Sequence, residues 1–240
     1  MSPLVLAEPE KPFWGFGEIL LSAASFLLAL LLITSVATHF LGAGAKLGYW
    51  AVAEEFGAYA VLFAVLKAAF HWQGQPLLRS LGWTAQQPFS TANLVAIGFF
   101  LFFAGVILQV VLGMPADTES PFEKMMYSDR FSPFVLAAFG VTFAPVIEEL
   151  LFRGLLQPVL VDLAGVFPGI LITSALFAVM HLPQNAGIWQ SAIVIGVAGF
   201  GFGVIRHISG STRASTVTHI AYNALPFAVT LIQGAPPTHK

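Results

Sequence analysis

The chain has 240 residues, of which 57% are hydrophobic and 9% charged, and its mean hydropathy is +0.83. A water-facing domain carries about 25% charged residues, so this composition excludes a soluble protein and fits a multi-pass membrane bundle. A net charge of -2 without a basic stripe excludes a nucleic-acid partner, and the absence of cysteine excludes disulfides, thiolate nucleophiles and Cys-held metal clusters.

Residues 1–17 form a polar, Pro-rich tail in which Phe13 and Trp14 read as aromatics at the membrane interface. Residues 18–41 are a first span, too long for the apolar stretch of a secretory signal. Residues 49–70 are a second, interrupted near its start by Glu54 and Glu55. Beside Tyr49 and Trp50, these acids read as an interfacial pair that reaches water. A polar loop over 71–91 leads to an uncharged third span, 92–113, and then to a longer polar loop, 114–132, read as solvated. Four more helices are expected over 133–161, 166–182, 188–206 and 214–233. The alternating segments of a transmembrane β-barrel are missing. The expected fold is therefore all-α, a polytopic transmembrane helix bundle of about seven spans (six to eight). It forms a single membrane domain in two parts: 1–132, the tail and three helices with their loops, and 133–240, a four-helix core.

Chemistry concentrates in that second part. Within Ala144–Gln157, Glu149 and Arg153 lie four residues apart and can pair on one helical face. Glu148 is turned about 100° away from Glu149 and has no built-in partner. A carboxylate at the bilayer midplane costs on the order of 2.5–3.5 kcal/mol, so a chain that keeps two there is using at least one. Pro145 bends the same helix and opens space beside the acids. His181 closes the fifth helix, and His219 and Asn223 share a face of the seventh. Each group alone has a plain structural explanation, such as an interhelical hydrogen bond worth about 0.6–2 kcal/mol or a neutralised Glu–Arg lock. Together, two acids, two His, one Asn and one Arg mark a functional site.

The reaction these groups fit is hydrolysis. There is no Gly-x-Ser-x-Gly turn and no cysteine nucleophile. A carboxylate with a His can activate water instead, and an Asn amide with a second His can hold an oxyanion. Glu plus two His also makes a zinc-binding set, although the His-Glu-x-x-His helix of zincins is missing. Zinc therefore stays open as the minority alternative to no cofactor.

Three ordered motifs, Glu148-Glu149-x-x-x-Arg153, Phe177-x-x-x-His181 and His219-x-x-x-Asn223, resemble those of the CPBP family. Its members are intramembrane glutamic endopeptidases related to the CAAX-processing protease of the endoplasmic reticulum. The flanking Leu150-Leu151-Phe152-Arg153-Gly154 and the Gly-rich sixth helix match too, and the resemblance covers about 133–230. It implies that Glu148 is the water-activating base with His181 as its partner, that His219 and Asn223 hold the oxyanion, and that Glu149 and Arg153 support the site. It also implies an enzyme that needs no metal, with a peptide or membrane-protein substrate reached from the lipid bilayer. The compact chain with short loops reads as bacterial, hence an inner-membrane location. Two other readings remain: a non-catalytic immunity or scaffold protein that binds a peptide in the same cavity, and a transporter relaying protons through Glu148 and His181.

Overall fold

A computed structural model describes residues 11–42, 48–115 and 120–233. Among the described residues there are only helices, turns and loops, and no strand. The helices are α1 Phe16–Leu41, α2 Gly48–Trp72, α3 Leu77–Ser80, α4 Thr91–Val111, α5 Pro121–Met126, α6 Ser132–Ala164, α7 Val166–Met180, α8 Trp189–Ser209 and α9 Thr212–Gln233.

The seven long helices fall on the seven expected segments, but they are not equivalent. Four of them, α1, α4, α6 and α8, are long and apolar enough to cross a membrane. Helix α7 has 15 residues and so spans roughly 22 Å, less than the ~30 Å of a hydrocarbon core. Helix α2 carries Glu54, Glu55 and Lys67, and α9 opens with the polar run Thr212-Arg213-Ala214-Ser215-Thr216. Large side chains such as Leu31, Phe100, Ile107, Val110, Leu163 and Phe167 point outward from the bundle, as lipid-facing residues do. The protein is an integral membrane protein.

Helix α1 packs along α2, α4 along α9, and α7 against both α8 and the C-terminal part of α6. Helix α2 lies beside α6, with Phe56 edge-on to Phe143, and Leu62, Leu66 and Phe70 in one cluster with Leu150, Leu155 and Val159.

Three local expectations change. Trp14 does not mark the interface: it is buried in that cluster, and its indole N–H donates to the Leu155 carbonyl at 2.9 Å. The Glu54–Glu55 pair does not simply reach water. Glu54 is buried against α1, where the Thr34 hydroxyl donates to it at 2.8 Å, and Glu55 is half-buried. The 114–132 loop is not just solvated either. Its described part forms α5, capped by Ser120 and Glu123, and packs on the Pro183–Asn185 turn that follows His181. Residues 116–119 of that loop, with Asp117 and Glu119, lie outside the described residues, as do 1–10 of the tail.

Helix α6 is the irregular one. It widens into π-helical turns at Phe139–Phe143 and Leu150–Leu156. Each precedes a proline by two residues: Pro145 follows the first turn and Pro158 the second. A proline has no N–H to donate and its ring crowds the carbonyl one turn back; a wider turn relieves that crowding. In the first turn the Ala144 N–H reaches the Phe139 carbonyl, five residues back. The Gly140 carbonyl is thereby left without Ala144, and the next residue, Pro145, has no hydrogen to give. One carbonyl on the inner side of α6 is left for a partner from another helix.

Candidate active site

That partner is Asn223. Its side-chain amide nitrogen donates to the Gly140 carbonyl at 2.8 Å, so a proline-driven distortion of α6 is what docks the α9 asparagine. One turn earlier on α9, His219 is buried and stacked on the Phe202 ring at 4.4 Å, with the edge of Phe177 closing its other side. Its Nδ1 lies 3.0 Å from Glu149 Oε1. A carboxylate accepts, so Nδ1 carries the hydrogen and the ring is held with Nε2 turned toward Glu148.

Glu149 is fully buried, and its charge is met inside the protein. The Arg153 guanidinium donates through Nη1 to Oε1 at 2.8 Å, and through Nη2 to the Gly199 carbonyl of α8 at 2.7 Å. Arg153 itself is fully buried, with its guanidinium carbon 4.5 Å from the Phe177 ring centre, a cation–π contact. One turn further on, Gln157 donates to the Gly203 carbonyl at 3.0 Å. Both bonds depend on α8 coming close. A Cβ on Gly199 would sit 3.1 Å from Arg153 Nη2, and one on Gly203 would sit 2.9 Å from Gln157 Oε1 and 2.7 Å from Ile170. The small residues of α8 are a slot for the polar side chains of α6.

Glu148 behaves differently from its neighbour. Its side chain keeps 18% of its exposure, and no Lys or Arg pairs with it among the described residues. Its two oxygens face two imidazoles: Oε1 lies 3.9 Å from His181 Nε2, and Oε2 lies 3.8 Å from His219 Nε2. These separations exceed a direct hydrogen bond and suit groups that share a small polar reactant. His181 is oriented by its own helix, since its Nδ1 donates to the Phe177 carbonyl at 2.7 Å, and Asn185 in turn donates to the His181 carbonyl at 2.9 Å. In both histidines Nδ1 holds the hydrogen, so in the neutral ring both Nε2 lone pairs point at the space beside Glu148.

The structure thus gathers all six side chains singled out in the sequence: Glu148, Glu149 and Arg153 from α6, His181 from the end of α7, and His219 and Asn223 from α9. Among the described residues no group of three or more His, Asp or Glu side chains has the arrangement to hold a metal ion. Sequence reasoning missed two neighbours on α2. Glu55 stands near enough to act electrostatically on Glu148 and His181, and Tyr59 on Glu148. The Tyr59 hydroxyl donates to Glu55 Oε1 at 3.1 Å. The signal was present, because Glu55 and Tyr59 lie four apart on one helical face, but nothing in the sequence says which neighbour that face meets.

Residues 130–225 match the family model described as type II CAAX prenyl endopeptidase Rce1-like. No curated protein and no solved structure matches the chain. The matched segment begins just before α6 and ends on α9 two residues past Asn223, so it contains every one of the six side chains above.

Proposed function

We propose, on the premise that residues 130–225 place this chain in the Rce1-like CAAX protease family, that it is an intramembrane endopeptidase in which Glu148 activates the hydrolytic water. The observation that supports this most is the meeting of one partly exposed carboxylate with two oriented imidazoles, each from a different helix. Glu148 takes a proton from water as the water oxygen attacks the peptide carbonyl carbon. His181, with Nδ1 committed to a backbone carbonyl, accepts the water's other hydrogen at Nε2 and so aims its lone pair. The carbonyl oxygen becomes an oxyanion, and Asn223 offers it the amide hydrogen not spent on Gly140. His219 Nε2, 3.8 Å from Glu148, receives the proton that Glu148 has lifted. It then donates to the oxyanion and finally to the leaving nitrogen as the C–N bond breaks.

Glu149 and Arg153 touch no reacting atom in this scheme. They hold His219 by its far nitrogen and tie α6 to α8, so they position the catalytic groups. No step draws on a metal ion, and the substrate is a peptide segment that reaches the bundle from the membrane. The test is turnover of internally quenched peptides by purified protein in proteoliposomes. Wild type should cleave and Glu148→Gln should not. Equal cleavage by the two would reject the assignment of the base.

A further inference from the structure

Phe177 opens the second sequence motif, and its side chain takes no part in the proton transfers above. It lies in the last turn of α7 and is 2% exposed. Around its ring stand the His181 imidazole, at 4.5 Å between centres and 52°, the His219 imidazole, at 5.8 Å and 80°, and the Phe152 ring, at 5.1 Å and 85°. The Arg153 guanidinium carbon lies 4.5 Å from the ring centre, nearer than to Phe202 at 5.4 Å or Phe152 at 5.9 Å. The Phe177 carbonyl is also the acceptor for His181 Nδ1 at 2.7 Å. One residue of α7 thus meets both imidazoles and the cation that holds Glu149. Helix α8 leaves room for it: a Cβ on Gly199 would come 3.1 Å from both Phe177 Cδ1 and Arg153 Nη2.

A phenyl ring is a rigid spacer that also carries a charge pattern, negative on its face and positive at its edge. The face attracts a guanidinium, and more strongly where water is excluded. In a close-packed interior such a ring cannot shift without moving what touches it. The imidazoles that touch this one carry the two Nε2 atoms, at 3.9 and 3.8 Å from the two oxygens of Glu148. We propose that Phe177 is a positioning residue of the peptidase: its ring sets His181 against His219 and keeps the Arg153–Glu149 pair in line with His219, and so fixes the gap in which Glu148 and the attacking water meet. The Arg153 charge makes the electrons of the ring, and not its bulk alone, part of that alignment. This inference rests on the endopeptidase reading above.

The experiment replaces Phe177 by mono-, di- and trifluorinated phenylalanine in the full-length protein and follows cleavage of an internally quenched peptide in proteoliposomes. Fluorine draws charge from the ring face and leaves the ring nearly its own shape. kcat should fall in steps, to about a tenth at the third fluorine, with KM unchanged; tenfold is about 1.4 kcal/mol, within reach of a desolvated cation–π contact. The same series at Phe70, buried against Phe13 and Trp14, should leave kcat at its wild-type value. Phe177→Leu, which removes the ring, should lower kcat by about 10²-fold, the cost of misplacing a catalytic group by about 1 Å. A flat series at Phe177 overturns the inference and leaves the endopeptidase reading intact, because the ring would then be packing alone. An equal decline in the Phe70 series overturns it too. So does a rise in KM at constant kcat, which would put the ring in the path of the substrate. No cleavage by wild type overturns the endopeptidase reading and this inference with it. The fluorinated series keeps the ring and decides the matter even if Phe177→Leu does not fold.

Discussion

The molecule contains two Glu–Glu pairs, Glu54–Glu55 on α2 and Glu148–Glu149 on α6, and they share a plan. In each, one acid is buried and held by a neighbouring helix, while the other stays part-exposed near the common site. The buried members are treated very differently. Glu149 is met by a guanidinium and an imidazole, both on one oxygen, whereas Glu54 has one threonine hydroxyl; in each acid the other oxygen is without a hydrogen bond. The difference teaches what a buried carboxylate is for. The carboxylate that orients an imidazole is given a counter-charge, while the one that joins two helices has a single neutral donor.

The comparison can be broken at several points. The largest effect expected is on the exposed member of the α6 pair: Glu148→Gln should lower peptide turnover by about 10²–10⁴-fold while thermal unfolding in detergent stays at the wild-type temperature. Next, Arg153→Ala should cost about 3–5 kcal/mol of stability, because it strands the Glu149 charge. Adding Glu149→Gln should recover part of that loss in the same unfolding assay, and full stability in the single variant would reject the ion pair. Gly203→Ala should cost about 1–3 kcal/mol through overpacking against Ile170 and Gln157; an unchanged unfolding curve would mean that α8 does not need its slot. On α2, Thr34→Val should cost only about 1 kcal/mol, as interhelical hydrogen bonds in membranes do, and should leave turnover alone. A loss as large as that of Arg153→Ala would erase the contrast between the two buried acids. Smallest of all is the chelator effect, for which no change in turnover is expected; a loss that zinc restores would replace the metal-free scheme with a metal-dependent one.

Much of this was legible in the residue order. The seven long helices announce themselves by hydropathy and length, and the helical spacing of Glu149 with Arg153, and of His219 with Asn223, places each pair on one face. Less legible were the contacts that depend on how helices lie beside one another. Glu55 and Tyr59 join the site only because α2 runs along α6, and an interfacial reading of Tyr49 and Trp50 drew attention away from them. Trp14 looks like an interface aromatic until the position of Leu155 is known. The Gly140 carbonyl was the hardest to foresee: Pro145 predicts a disturbed helix, but not that the disturbance widens one turn and hands the freed oxygen to Asn223.

The two bonds from α6 to α8 end on main-chain oxygens, those of Gly199 and Gly203. An acceptor of that kind is present whatever amino acid the gene encodes there, so genetic drift along α8 can never delete the oxygen, only block the approach to it. The tolerance of this seam is thus one-sided. Any side chain at those two buried positions brings bulk into the slot, while a lineage can rewrite much of the surrounding helix without losing the grip on the arginine.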